Sequence, residues 1–205
     1  AMGGAPRASI KEGQGNTEMS QRIMGNCFTL LVTVSIVLTV LIQVFARPLL
    51  LTFGASANTI GYALDYLRIY TLGTVFVQVT LGMNAYITAQ GFTTVSMKTV
   101  MIGAGLNIVL DPIFIFRLGM GVRGAALATI LSQAVSAAWV LRFLTGGKSK
   151  WRLRKENLRP RAKVVLPCLA LGLSPFIMQS TESLISVCFN SSLLKYGGDT
   201  AVGAM

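Results

Sequence analysis

The sequence predicts an all-α fold, a bundle of membrane-spanning helices. Three observations lead there. Hydrophobic residues make up 53% of the 205 and charged residues 12%, about half the charged share of a water-soluble domain. Mean hydropathy is +0.63. The charges are clustered, leaving uncharged runs at 23–46, 69–97, 124–141 and 164–181, of 24, 29, 18 and 18 positions. A bilayer core ~30 Å thick takes about 20 apolar helical residues to cross, so four such runs define a polytopic protein. A fifth apolar stretch, about 95–116, carries Lys98 near its start and Asp111 near its end.

The expected helices are 21–46, 59–90, 95–116, 122–144 and 164–194. Arg47-Pro48 closes the first, because a residue before proline is pushed out of the α region. Ser56 and Asn58 are N-cap types ahead of the second, and Gly91 follows its end. The second and fifth are too long for one span, so they tilt, kink or project beyond the hydrocarbon. Gly119, Gly121 and Gly124 mark a tight turn between the third and fourth. Gly146-Gly147 ends the fourth. Pro167 and Pro175 predict a break near the start of the fifth and a kink within it.

Composition also excludes functions. There is no histidine, which removes His-based triads, metal sites and pH switches. Cys27, Cys168 and Cys188 are scattered through apolar stretches. They form neither a disulfide framework nor a zinc pattern and read as buried free thiols. The methionines Met83, Met97, Met101 and Met178 read as core filling.

The net charge is +11. Residues 148–163, KSKWRLRKENLRPRAK, hold eight Lys or Arg and one Glu. In isolation such a run suggests nucleic acid. Between two spans it reads as a cytoplasmic loop that sets topology near anionic headgroups, so no nucleic-acid partner is expected. Counting alternate loops gives 13 basic residues on that side against 4 on the other (Arg47, Arg117, Arg123, Lys195). The sequence opens in Gly-rich loop residues and stops as a new apolar run begins, so it is expected to be an internal piece of a larger protein.

Ionisable residues inside spans are costly and mark sites by default. Asp65 and Arg68, three apart, are expected to pair with each other. Lys98 snorkels to the interface. Asp111 has no local cation. Pro112 after it removes a backbone hydrogen bond, freeing a carbonyl near Asn107, and Asn107 shares Asp111's helix face. A carboxylate, an amide and a free carbonyl suit a hard monovalent cation or a proton; a packing hydrogen bond is the plainer alternative. Depth brings in partners. Asp111 lies ~8 Å from the outer end of its helix, and Thr129 and Tyr66 each lie ~10 Å deep on theirs. Thr129 heads a polar stripe with Ser132, Gln133 and Ser136. That stripe lines a site or, with Gly124 and the neighbouring alanines, lets helices approach closely. Glu182, in Gln179-Ser180-Thr181-Glu182-Ser183, lies ~27 Å up the last helix and is a second candidate, linked to cation or substrate. Asn84 and Gln90 lie near the cytoplasmic end of the second helix.

Several stretches carry a family resemblance. They are Phe53-Gly54-Ala55-Ser56, Tyr66-Leu67-Arg68-Ile69-Tyr70 and Gly82-Met83-Asn84-Ala85-Tyr86-Ile87-Thr88-Ala89-Gln90-Gly91. Gly103-Ala104-Gly105-Leu106-Asn107-Ile108-Val109-Leu110-Asp111-Pro112-Ile113-Phe114 follows, then Gly121-Val122-Arg123-Gly124-Ala125-Ala126-Leu127-Ala128-Thr129 with Ser132-Gln133. In order and spacing they resemble the multidrug and toxic compound extrusion (MATE) family. The resemblance implies a partial MATE-type fold, about five complete spans of a twelve-span, two-lobe transporter. Residues 1–147 would belong to the N-terminal lobe (end of span 2, spans 3–6), 148–163 to the cytoplasmic inter-lobe loop, and 164–205 to the start of the C-terminal lobe. It implies a cation site at Asp111, Asn107 and Thr129, with Tyr66 nearby. Glu182, Gln179, Asn84 and Gln133 are candidates for a substrate or second coupling site.

The implied activity is antiport across the cell membrane, with organic cations leaving as Na⁺ or H⁺ enters. No cofactor is expected beyond the coupling ion, nor a metal beyond Na⁺ at Asp111, and the complete protein is expected to be a monomer. The alternative, a flippase for lipid-linked oligosaccharides of related fold, predicts a cavity rich in basic residues. An enzyme would need reactive groups converging on one interface, and the acids sit on separate helices.

Overall fold

The computed structural model describes residues 2–53 and 59–203, and side chains as far as Ser192 apart from Lys155. The chain is helical nearly throughout. The opening residues, expected as loop, form α1 (Gly4–Gly13), whose small residues Gly4, Ala5 and Ala8 are buried against its neighbours. Asn16 then caps α2 (Thr17–Thr52), accepting the Met19 N–H at 3.0 Å.

The expected stop at Arg47-Pro48 is corrected. The α2 backbone leaves helical angles at Phe45 (φ −104°, ψ 18°) and then continues to Thr52. Pro48 has no N–H for the carbonyl one turn back, so the helix kinks ahead of the proline instead of ending there. The N-cap expectation at Ser56 and Asn58 falls outside the described residues.

The long second helix is broken into α3 (Ile60–Leu72) and α4 (Thr74–Ala89), bent by 56° at Gly73. A side chain at Gly73 would collide with Ile130, so the bend seats bare backbone against another helix. Carbonyls near the break are satisfied from α2. Gln43 donates to the Arg68 carbonyl at 2.7 Å and the Thr71 hydroxyl at 2.9 Å, and Thr39 donates to the Thr71 carbonyl at 3.0 Å. A break inside a bilayer needs such partners, because no water reaches it.

α5 (Thr93–Pro112) runs into a π-helical turn, Ile113–Arg117, where the Leu118 N–H bonds the Ile113 carbonyl at 3.0 Å. Gly119 (φ 64°) and Gly121 (φ 55°) make the left-handed turn into α6 (Gly121–Thr145), a conformation glycine takes without steric cost. α7 (Ala162–Gly203) begins before Pro167 and stays helical through Pro175. The break expected near its start is absent: Pro167 removes only its own bond to the Lys163 carbonyl and the helix runs on through it.

Among the described residues, four helices are long and apolar enough to cross a membrane, and the bent α3–α4 pair makes a fifth if it is one span. α6 is the hub. It packs on α3, α4 and α5, with 39% of its apolar stretch buried against 6% for α2. Many large apolar side chains face outward, among them Val37, Val40, Leu41 and Val44 of α2, as a lipid-facing surface requires. Met83 lies in the core, but Met97, Met101 and Met178 are exposed, so the core-filling expectation holds for one of the four. Cys27 and Cys168 are buried free thiols, as expected; Cys188 is free but exposed.

The basic loop is not a loose solvated connection. From 148 to 154 it alternates, with Ser149 and Trp151 buried, Leu153 partly buried, and Lys148, Lys150, Arg152 and Arg154 exposed. Trp151 is 1% exposed and packs edge-on to Tyr86, with its Nε1 donating to Glu12 at 3.0 Å. Gln90 Oε1 accepts from Ser149 Oγ at 2.8 Å and the Trp151 N–H at 2.9 Å. A 3₁₀ turn, Lys155–Leu158, then lies along α2, where Thr29 donates to the Leu158 carbonyl at 2.7 Å and Asn26 Oδ1 accepts the Arg161 N–H at 2.6 Å.

Trp151→Ala in the complete protein is expected to cost ~3–5 kcal/mol, read as a fall in the detergent-solubilised unfolding midpoint. Trp151→Phe, which keeps a ring and loses the Glu12 bond, should cost ~1 kcal/mol. Equal losses for the two variants would show that the hydrogen bond, not the packing, holds the loop.

Candidate functional site

The site is set by α5 and α6 lying side by side. Asp111 is one turn beyond Asn107 on α5, so both project from one face. Asn107 Nδ2 donates to Asp111 Oδ1 at 3.3 Å and to Thr129 Oγ1 on α6 at 3.5 Å. Thr129 in turn donates to the Ala125 carbonyl at 3.0 Å. Tyr66 lies on α3, which packs against α6, with its ring stacked on Tyr70 at 5.6 Å. Asp111, Asn107 and Thr129, three of the four residues named from the sequence, are therefore joined by hydrogen bonds across α5 and α6. Pro112 leaves the Ile108 carbonyl without its usual N–H partner, one residue on from Asn107.

Next to this cluster is a cavity of about 220 Å³ between α4, α5 and α6. Asn107 and Thr129 form one end of it, and Gln133 and Ser132 continue along α6. Among the described residues no Lys or Arg lines it, in contrast to the basic cavity that a pyrophosphate-handling flippase predicts.

Three of the other candidates lie apart. Asn84 on α4 donates to the Ser96 carbonyl at 3.4 Å, at the end of α5 opposite Asp111, ~22 Å away along the helix. It joins two helices near their ends. Glu182 and Gln179 bond each other at 2.7 Å on an exposed stretch of α7. α7 packs on α1 and α2 and not on α5 or α6, so the described contacts do not bring Glu182 to Asp111. Gln179 instead lines an open groove of about 450 Å³ with Phe53 and Phe176.

The expected Asp65–Arg68 pair is corrected. Asp65 Oδ2 meets Arg123 Nη2 at 3.0 Å, tying α3 to the start of α6. Helical spacing allowed the local pair, but the packed α6 supplies a cation from across the interface. Sequence reasoning missed Thr99 and Gly103 as neighbours of this site. Their signal was present, since 99, 103, 107 and 111 recur every four residues.

A polytopic helix bundle with an acid, an amide and hydroxyls gathered inside it defines a class of membrane protein, and comparison with known proteins gives the family. The MatE family profile matches residues 1–113. The chain belongs to the MatE family and is a multi-pass membrane protein. It is 29% identical over 167 residues to a multidrug export protein MepA of Staphylococcus haemolyticus, covering 80% of this chain and 37% of that one. With MepA of Staphylococcus aureus the identity is 26% over 153 residues, covering 75% and 34%. Among solved structures, the MATE multidrug transporter DinF-BH superposes with a TM-score of 0.92 at 37% identity, over 99% of this chain and 46% of that one. An inward-facing multidrug resistance MATE family transporter superposes at 0.91 and 25% identity, over 98% and 46%. The chain thus spans about a third of the curated relatives and just under half of the solved structures.

The Asp65–Arg123 pair is testable by a double-mutant cycle. Each side chain is roughly half exposed, so Asp65→Asn and Arg123→Gln should each cost no more than ~1 kcal/mol, read by thermal unfolding of the complete protein. The double variant should be no worse than either single one. Additive losses would show that the two side chains do not interact.

Proposed function

We propose that the chain is part of an antiporter that exports organic cations while Na⁺ or H⁺ enters, with Asp111, Asn107 and Thr129 holding the coupling ion and Tyr66 beside them. The observation that carries this reading is an acid inside a membrane span, hydrogen-bonded to an amide that also reaches a second helix. Membership of the MatE family and the names of the relatives, multidrug export proteins and multidrug transporters, support it. Residues 1–147 would then be part of one lobe, 148–163 the cytoplasmic link, and 164–205 the start of the second lobe. Loop 148–163 faces the cytoplasm in this reading, and the protein resides in the plasma membrane.

The physics of coupling is simple. An occupied or protonated Asp111 is neutral and tolerates enclosure; an empty carboxylate resists it. Ion binding therefore favours one arrangement of lobes and substrate binding the other, and each shifts the equilibrium by its difference in affinity. A monovalent cation moving down 100 mV releases about 2.3 kcal/mol. That corresponds to a roughly 50-fold concentration ratio. Glu182 and Gln179, on α7 away from Asp111, are available to an organic cation entering from the other lobe's side.

Asp111→Asn in the complete transporter is expected to keep membrane insertion and to lose gradient-driven efflux of a fluorescent organic cation. Efflux at the wild-type rate from that variant would overturn the assignment.

A further inference from the structure

The connection between α6 and α7 is fastened from Ser149 to Arg161 by elements that precede it. Gln90 at the end of α4 and Glu12 of α1 hold Ser149 and Trp151. The Leu153 N–H bonds the Leu144 carbonyl of α6 at 2.9 Å. The 3₁₀ turn then packs on α2 and not on α7. Its backbone lies on Gly25 of α2, where a Cβ would collide with the Asn157 carbonyl, and Asn26 Nδ2 donates to that carbonyl at 3.4 Å. All of these partners belong to the part assigned above to the first lobe.

The last of these contacts falls on the residue where α7 begins. Asn26 Oδ1 accepts the Arg161 N–H at 2.6 Å. The Arg161 carbonyl accepts from Val164 at 2.9 Å and Val165 at 3.0 Å, which is the first turn of α7. Peptide units are rigid planes, so the unit before Arg161 goes with α2 and the unit after it goes with α7. Only the φ and ψ of Arg161 lie between. Pro160, just ahead, has its own φ locked by its ring.

α7 meets the first-lobe helices through its opening turns. Val164 and Cys168 are buried, and a Cβ on Gly3, just before α1, would collide with the Cys168 carbonyl. Further along, Leu173, Ile177 and Ile185 are exposed, and the end of α2 is reached only across the open groove with Phe53. Cys168 and Ile185 lie ~10 Å and ~36 Å along α7 from Arg161. A rotation of about 15° there, the size of a rigid-body switch, displaces the first by ~3 Å and the second by ~9 Å. The contacts near Arg161 are therefore those that such a rotation disturbs least.

We infer that Arg161 is the pivot on which the second lobe turns against the first, and that residues 148–160 travel with the first lobe as a fixed part of it. The inference rests on the two-lobe antiporter reading and adds where the motion is hinged. A hinge is a few residues at the end of an element that absorb the φ/ψ change, and Arg161 is that residue here. Asn26 is its positioning residue, because one amide holds both the Asn157 carbonyl and the Arg161 N–H. The basic connection then has a mechanical role, as a clamp that leaves no slack between the lobes.

The test is a pair of spin-label distances in the complete transporter, reconstituted in lipid, with no other exposed cysteine. One pair joins Lys98→Cys to Arg159→Cys, and the other joins Lys98→Cys to Ile185→Cys; all three positions are exposed. Distances are measured with saturating ethidium as the organic cation, then with Na⁺, then at acid pH without Na⁺. The Lys98–Ile185 distance should shift by ~5–9 Å between the ethidium state and one of the ion states, while Lys98–Arg159 stays unchanged. Ala162→Pro is compatible with a first helical position and restricts the ψ of Arg161. It should keep the unfolding midpoint and ethidium binding, lose most of the Lys98–Ile185 shift and slow efflux in step. Asn26→Ala should make the Lys98–Arg159 distance follow the ligand. A Lys98–Arg159 shift as large as the Lys98–Ile185 shift in the otherwise unaltered protein overturns the pivot and leaves the two-lobe reading standing. A full shift in Ala162→Pro overturns it too. If neither distance responds while the labelled protein still transports, the two-lobe reading itself fails.

Discussion

The bundle depends on how closely α6 approaches its neighbours. In a bilayer, helices gain little by burying apolar surface, so contact at short range holds them together. Three glycines make that contact here. Gly73, at the α3–α4 bend, sits against Ile130, Gly103 of α5 against Ser136, and Gly124 of α6 against the Phe114 backbone. Asn107 reaches Thr129 only because α5 and α6 are that close. The cavity beside them is the gap that these contacts leave open.

Spans were legible wherever charge marked their limits. α6 was expected at 122–144 and runs Gly121–Thr145, since glycines close both ends. The bend at Gly73 was not located, because nothing in the uncharged run 69–97 sets that glycine apart from Gly82. Ile130, the side chain it sits against, is 57 positions further along the chain. Pro48 misled for a physical reason, since proline removes one hydrogen bond and the rest of a lipid-embedded helix has no water to replace its own. The basic loop misled through composition. Eight cations in 16 residues read as a solvated segment, yet Ser149, Trp151 and Leu153 alternate inward at a strand-like period.

The candidate site was partly legible. Spacing by four joined Asn107 to Asp111, and counting depth from the helix ends placed Thr129 and Tyr66 level with them. The same arithmetic says nothing about azimuth. Glu182 also lies in the outer half by depth, and its helix packs against α1 and α2. Asp65 shows the other blind spot, since its partner was sought three residues away and is Arg123, on another helix. Which way a hydroxyl or amide turns is invisible in sequence altogether. That Ser132 and Thr99 donate to their own helix, while Gln133 Oε1 has no donor among the described residues, follows only from packing.

The central claim is that the Asp111 carboxyl changes state when the coupling cation binds. Infrared difference spectra of the reconstituted complete transporter, recorded on adding Na⁺ and on changing pH, test it most directly. The account predicts a carboxyl band change in one of these conditions that disappears in Asp111→Asn. A band change of the same size in that variant would assign the cation to another group and contradict the account.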